Sequence, residues 1–356
     1  MNQETPENNV QISQIKSAFT RERLFKGVRY FVMFTLIGFT ILFFFTSSFD
    51  EVVEALDHLE ARFFLIAIAL SAVDLTLGGF RNHLFVRKIR PGTSIKLCLR
   101  ANVANLFMGS VTPSQSGGGP AQIFVLYRGG VPLPSILSIS VITFLCTLVF
   151  FLIAASFSMV VVRDMFSTEI IMYVVQYSFA AFGSVTLFFI LALWRPDVIG
   201  RIILRVTSFL GRKSKKYGER ITKFGETANR EIGKYHVTCR QFIKDEPMVV
   251  FWCVVVTVVL YLNKFTLAYF IMLGLGGTGD YASMIAIQAI LIFIAYASPS
   301  PGGSGIAELS IGALMTTMLP MSAIAIFAVL QRFFLYYLPA ILGFFVLTGE
   351  LKSDAS

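Results

Sequence analysis

The chain has 356 residues, of which 55% are hydrophobic and only 14% charged, against about 25% charged in a soluble domain. A mean hydropathy of +0.72 is more than a soluble fold of this length can bury. Disorder, a coiled coil and a disulfide scaffold are excluded, and long unbroken apolar runs exclude an outer-membrane barrel, leaving an all-α polytopic membrane protein.

In chain order, residues 1–27 form a polar tail. Tyr30–Thr46 is an apolar run behind a long polar lead with no small-x-small cleavage site, which predicts an uncleaved first span. An acidic, helical segment at 47–62 precedes a second span at 63–85, with Asp74 inside it. After a basic linker at 86–96, residues 97–130 are broken in the middle by Val-Thr-Pro-Ser-Gln-Ser-Gly-Gly-Gly-Pro-Ala-Gln, Val111–Gln122. Spans follow at 136–162 and 171–194, then a basic segment at 195–246 and a span at 248–273 carrying Asn263 and Lys264. Residues 282–319 are broken by Ser-Pro-Ser-Pro-Gly-Gly-Ser-Gly, Ser298–Gly305, and 322–347 is the last span, with Arg332 inside it. A short tail, 348–356, ends the chain.

The net charge of +9 is a matter of placement. Of 30 Lys and Arg, 26 lie in residues 1–29, 81–100 and 195–246 or at Arg128 and Lys352. That asymmetry points to topology in a cell membrane with both termini cytoplasmic, and not to nucleic acid. The basic segment is read as positive-inside topology, with anionic leaflet lipids as its partner where Ile202–Leu210 lies on headgroups. The four cysteines and three histidines have no ligand spacing, so neither a metal nor another cofactor is expected. Gly274–Gly279 is a formal GxGxxG, but it follows a membrane span and not a strand, so no dinucleotide is expected.

Orientation constrains the two broken segments. The spans flanking 97–130 face the same side, so this segment crosses an even number of times, and its Pro-Gly centre favours a re-entrant hairpin. The same holds for 282–319 from the opposite side. The expected fold is six full spans plus two opposed re-entrant hairpins. At an offset of 186, Thr112–Gln122 aligns without gaps on Ser298–Glu308, with Pro113, Ser114, Gly117, Gly119 and Ala121 identical to their partners. The same offset carries the flanking spans onto each other, which describes an inverted repeat of membrane halves 28–194 and 247–347. That architecture belongs to secondary transporters, with substrate near the midplane.

Two half-helix starts facing each other would present unpaired N–H groups and partial positive charge to an anion. Candidate substrate contacts are Pro113, Ser114, Ser116, Gly117, Gly118, Gly119 and Gln122 in the first hairpin, and Ser300, Gly302, Gly303, Ser304 and Glu308 in the second. The competing reading is that Gly and Ser merely permit close helix packing. Buried charges cost energy, so Asp74, Lys264, Glu308 and Arg332 are read as a pair or a pathway. Glu308 either pairs with Arg332, or Arg332 reads a phosphate while Glu308 meets a cationic headgroup. Asn105 and Arg128 are weaker candidates, as ordinary interfacial residues.

The Pro-Gly-rich first hairpin, the basic segment, Pro301–Glu308 and Arg332 together resemble one family. It is the lysylphosphatidylglycerol synthase transmembrane-domain family, the flippase-like membrane half of the bacterial multiple peptide resistance factor, over roughly residues 29–347. Members that also charge the lipid carry a large cytosolic aminoacyl-transfer domain after the membrane part, whereas this chain ends at Ser356. The resemblance therefore implies a lipid translocase and not an enzyme. The implied partner is a phospholipid, or an aminoacylated or polyprenyl-linked lipid. A membrane-embedded lipid-modifying transferase, a small-solute secondary transporter and an accessory subunit remain alternatives, and a homo-oligomer is left open.

Overall fold

The computed structural model describes residues 21–46, 60–161, 169–213 and 218–352. Most of the acidic 47–62 segment, and with it His58, lies outside the described residues. Among those described there are thirteen α-helices: α1 Arg21–Thr46, α2 Ala61–Ile89, α3 Ile95–Val111, α4 Gly118–Arg128, α5 Leu133–Val161, α6 Glu169–Trp194, α7 Pro196–Lys213, α8 Gly218–Asp245, α9 Pro247–Gly274, α10 Tyr281–Ala297, α11 Ile306–Leu314, α12 Met321–Arg332 and α13 Leu338–Lys352. Six helical stretches are long and apolar enough to cross a membrane: Phe25–Phe44, Ala61–Ile89, Leu133–Val161, Val175–Trp194, Pro247–Gly274 and Met321–Leu351. The protein is an all-α polytopic membrane protein.

The sequence offset governs the architecture. Adding 186 to the bounds of α2 and α3 gives 247–275 and 281–297, against the observed α9 and α10. The equivalent helices α2 and α9 pack against each other in opposite directions. Glu60 N donates to Gly274 O at 3.2 Å at one end, and Lys88 pairs with Glu246 at 2.9 Å at the other. Two repeats whose matching helices run antiparallel are related by an axis perpendicular to them, which is the inverted arrangement.

Each repeat also contains two helices that fold back on each other. In the first, Arg90 Nη1 bonds Gly129 O at 2.5 Å and closes the base of α3–α4. In the second, Thr278 N bonds Met318 O at 3.3 Å and closes α10–α11. Each long arm has 17 residues and rises about 25 Å. The tips meet: Pro113 and Pro301 form an antiparallel bridge, and Ser114 Oγ donates to Ser298 O at 3.2 Å.

Each hairpin leans on a span of the other half, α3 on α13 and α10 on α5. Helices in lipid gain little from apolar contact alone, so small residues set how closely they approach. At Gly343, in α13, a Cβ would collide with the Val103 carbonyl of α3. Three structural differences from the sequence reading stand out. The first helix begins at Arg21, inside the supposed polar tail. The linker after α2 shrinks to a few residues, because Arg87 and Lys88 continue the helix. The last span is broken by a π turn at Phe333–Tyr337, directly after Arg332. The basic segment is two amphipathic helices, α7 and α8, packed on each other. Phe242 of α8 meets Phe85 of α2 edge-on at 5.7 Å.

The meeting of the tips is testable. In a background with the four native cysteines replaced, Pro113→Cys with Pro301→Cys is expected to form an intramolecular disulfide on mild oxidation, because bridged Cα atoms lie about 4.5–5.5 Å apart, inside disulfide range. Peptide mass mapping reads the cross-link, and its absence in folded protein would separate the tips.

Candidate functional site

The first tip is a strained turn between α3 and α4. Thr112 Oγ1 donates to Met108 O at 2.6 Å and accepts from Gly117 N at 2.8 Å, so one hydroxyl ends one helix and starts the next. Ser114 and Gln115 sit at φ 49° and 55°, in the left-handed region that non-glycine residues avoid. Such strain clusters at ligand sites. Gly118 faces α3, where a Cβ would lie 2.9 Å from Asn105 O. Gly119 faces the other way, with nothing within 4 Å of its missing Cβ.

What Gly119 faces is a cavity of about 490 Å³. Asn105, Ser114, Gln115, Ser116 and Gln122 contribute the hairpin's polar wall. Gln122 Oε1 accepts from Asn105 Nδ2 at 3.2 Å, and its Nε2 donates to Asn82 Oδ1 at 3.4 Å. The opposite wall comes from α5 and α6, where Leu137, Val141, Phe144 and Phe189 form an apolar face beside Ser140, Thr143 and Thr147. There Phe144, 40% exposed on its span, meets Phe189 edge-on at 5.4 Å.

Arg81 supplies the charge. Charge counting assigns it to the cytoplasmic flank, but α2 continues past it and turns it into the cavity. Its Nη1 donates to Thr147 Oγ1 at 3.0 Å and to Thr257 Oγ1 at 3.3 Å, while its Nε is buried without a hydrogen-bond partner. Ser140 Oγ, also in the lining, and Gln115 Nε2 are likewise buried and unpaired. Buried polar groups in native folds are normally satisfied. A cationic cavity lined by hydroxyls and amides, with the start of α4 on its wall, suits a hydrogen-bonding anion.

The second tip is built differently. Gly302, Gly303 and Gly305 have φ of 59°, 71° and 88°. Arg332, 2% exposed, donates from Nη1 to Gly302 O at 2.9 Å and from Nη2 to Gly303 O at 3.3 Å. Its Nε forms an ion pair with Glu308 Oε1 at 3.0 Å. Glu308 is fully buried, and its Oε2 accepts from Gly305 N at 2.6 Å, capping the start of α11. Ser304 Oγ hydrogen-bonds Thr35 Oγ1 at 3.0 Å, and a Cβ on Gly38 of α1 would lie 3.0 Å from Gly305. The second half-helix start is therefore closed by its own acid and by α1. The two starts do not face one shared anion, which corrects the symmetric picture. Of the two roles for Arg332, the geometry has the pair.

Asp74 and Lys264 are also paired, at 2.6 Å. Lys264 borders a small chamber of about 30 Å³. Gln115, Tyr261 and Tyr296 border both this chamber and the large cavity, so they form the partition between them. The two tyrosine hydroxyls are 3.3 Å apart.

Ser114, Ser116, Gly119, Gln122 and Asn105 are thus brought to one cavity. Gly117 and Gly118 lead the chain into it, and Pro113 touches the other tip. Ser300 bonds Ser298 and lies at the tip contact, while Gly302, Gly303, Ser304, Glu308 and Arg332 hold the second hairpin. Arg128 is at the base of the first hairpin, paired with Glu350 at 3.1 Å and about 15 Å along α4 from the tip. Arg81, Gln115, Ser140, Thr147, Tyr261 and Tyr296 are cavity residues that sequence reasoning missed. Arg81 carried a signal, since it sits two turns from Asp74 on the same face of an apolar span.

Breaking a buried pair by removing one partner costs about 3–5 kcal/mol. Arg332→Met is expected to lose that much and melt well below wild type in detergent. Arg81→Gln gives up two part-buried hydrogen bonds from a charged group, about 1.5–3 kcal/mol each, but the glutamine amide can donate in their place, so it should melt closer to wild type than Arg332→Met. Thermal unfolding checks both, and a stable Arg332→Met protein would remove the structural role.

The chain belongs to the family described as the lysylphosphatidylglycerol synthase TM region, whose model matches residues 31–343. It is also similar to a UPF0104 membrane protein of Archaeoglobus fulgidus, 24% identical over 241 residues, which cover 67% of this chain and 71% of that protein.

Proposed function

We propose that the protein is a lipid translocase that carries a phosphate-bearing headgroup through the cavity under the first hairpin while the acyl chains stay in the bilayer. The single observation that carries this reading is the two-sided cavity. Arg81, the start of α4 and the hairpin's hydroxyls and amides form one wall, and Leu137, Val141, Phe144 and Phe189 of two spans give the other an apolar face. A lipid is polar at one end and apolar at the other, and this lining has the same division. A soluble solute has no use for the apolar wall.

In this reading both hairpins re-enter from opposite sides and stop at mid-membrane depth, where non-helical backbone is tolerated only against protein or a wet cavity. The basic flanks place both termini on the cytoplasmic side of the cell membrane. The partition of Gln115, Tyr261 and Tyr296 is the barrier that opens when access passes to the other leaflet. The basic segment rests on anionic lipid. In α7, Ile202, Val206, Phe209 and Leu210 form an exposed apolar stripe, and Arg201, Arg205 and Arg212 run beside it.

Reconstitution in vesicles carrying a fluorescent phospholipid in both leaflets tests the reading. Wild type is expected to make inner-leaflet lipid accessible to a membrane-impermeant quencher, and Arg81→Gln to slow this at least tenfold with the fold intact. Equal rates in protein-free vesicles would end the translocase account.

A further inference from the structure

The cavity's charge inventory points to a narrower substrate class. We propose that the cavity selects an anionic headgroup made of phosphate and hydroxyls and rejects one bearing an ammonium group, with Arg81 setting that preference. The inference rests on the reading that the cavity takes a lipid headgroup.

Among the described residues lining the cavity, Arg81 is the sole charged one. The three buried acids among the described residues are all spent elsewhere, Asp74 on Lys264 at 2.6 Å, Glu308 on Arg332 at 3.0 Å and Glu350 on Arg100 and Arg128 at the hairpin base. One guanidinium balances one phosphodiester. It has five N–H donors in a fork that suits phosphate oxygens. The remaining polar lining is hydroxyl and amide: Asn105, Ser116 and Ser140, with Gln115 Nε2 buried and unpaired. These groups both donate and accept, as glycerol or sugar hydroxyls require.

An aminoacyl ester adds a second cation. Its ammonium would enter beside Arg81 with no carboxylate to meet it, and a charge taken from water without a partner is strongly disfavoured. The repeat shows what is missing. Gln122 occupies the position equivalent to Glu308 at the offset of 186, so the first half carries an amide where the second carries an acid. Gln122 lines the cavity, so the absent charge is absent at the site itself.

The test uses the full-length protein in nanodiscs containing equal amounts of phosphatidylglycerol, its lysyl ester and phosphatidylethanolamine. Lipid retained after detergent extraction is counted by native mass spectrometry. Wild type is expected to retain phosphatidylglycerol at least tenfold over both amine-bearing lipids. Arg81→Gln should erase that ratio, and Gln122→Glu should move it at least tenfold toward the lysyl ester. Soluble glycerol phosphate in tenfold excess should leave retention unchanged; displacement would give the site to a soluble anion and overturn the lipid assignment. Equal retention of the three lipids by wild type, or preference for the lysyl ester, overturns the selectivity and leaves translocation standing. Retention of no lipid overturns both. Selective retention without transport in vesicles keeps this inference and sinks the translocase.

Discussion

The structure depends on how Arg332 holds a turn that has no helix of its own. The segment 298–305 lies between two half-helices, and its carbonyls at Gly302 and Gly303 have no place in a helical ladder. In lipid each would cost several kcal/mol unpaired. One guanidinium from the last span takes both, and its remaining edge meets Glu308, which in turn caps α11. Three elements are thereby tied at one point: the last span, the tip and the start of the returning helix. The first tip then closes on this fixed second tip through Pro113 and Pro301.

That arrangement explains why a symmetric sequence pattern gives an asymmetric site. The two repeats match in the length of their first span and hairpin arm to within a residue, and in five of eleven aligned tip residues. They differ at a few charged positions. Glu308 in the second half is matched by Gln122 in the first, and Arg332 by Cys146. One hairpin can therefore neutralise itself and become a rigid post. The other has no acid to close its helix start, is strained at Ser114 and Gln115, and faces a cavity with a cation across from it. The cavity lies where the repeat carries no acid to balance its own cation.

The bilayer as solvent accounts for the rest. A glycine at Gly343 lets α3 and α13 touch backbone to backbone, which apolar attraction between lipid-soluble helices would not enforce. Threonine and serine hydroxyls bond carbonyls one turn back within their own helices, as at Thr143 and Ser158, and so lose their polarity to lipid. Thr147 and Thr257 do this and also accept from Arg81, so they join two spans to the cavity's charge.

By itself the sequence determined the membrane class, the six spans, the two broken segments and the offset of 186. All of these follow from apolar runs and from Pro and Gly, whose effects act on neighbouring residues. It also placed Glu308 and Arg332 among the important charges. Which charge does what lay beyond it. Arg81 reads as one more cytoplasmic arginine, and only the continuation of α2 shows that it turns inward beside the first tip. Tyr261, Tyr296, Ser140 and Thr147 are ordinary span residues until α5, α9 and α10 bring them together. Only the tertiary structure decided that one half-helix start is closed by a buried acid while the other, capped by Thr112, borders a cavity. The reason is physical: whether a polar group is satisfied depends on partners that are distant in the chain, such as Arg332 and Gly302, and local pattern carries no record of them.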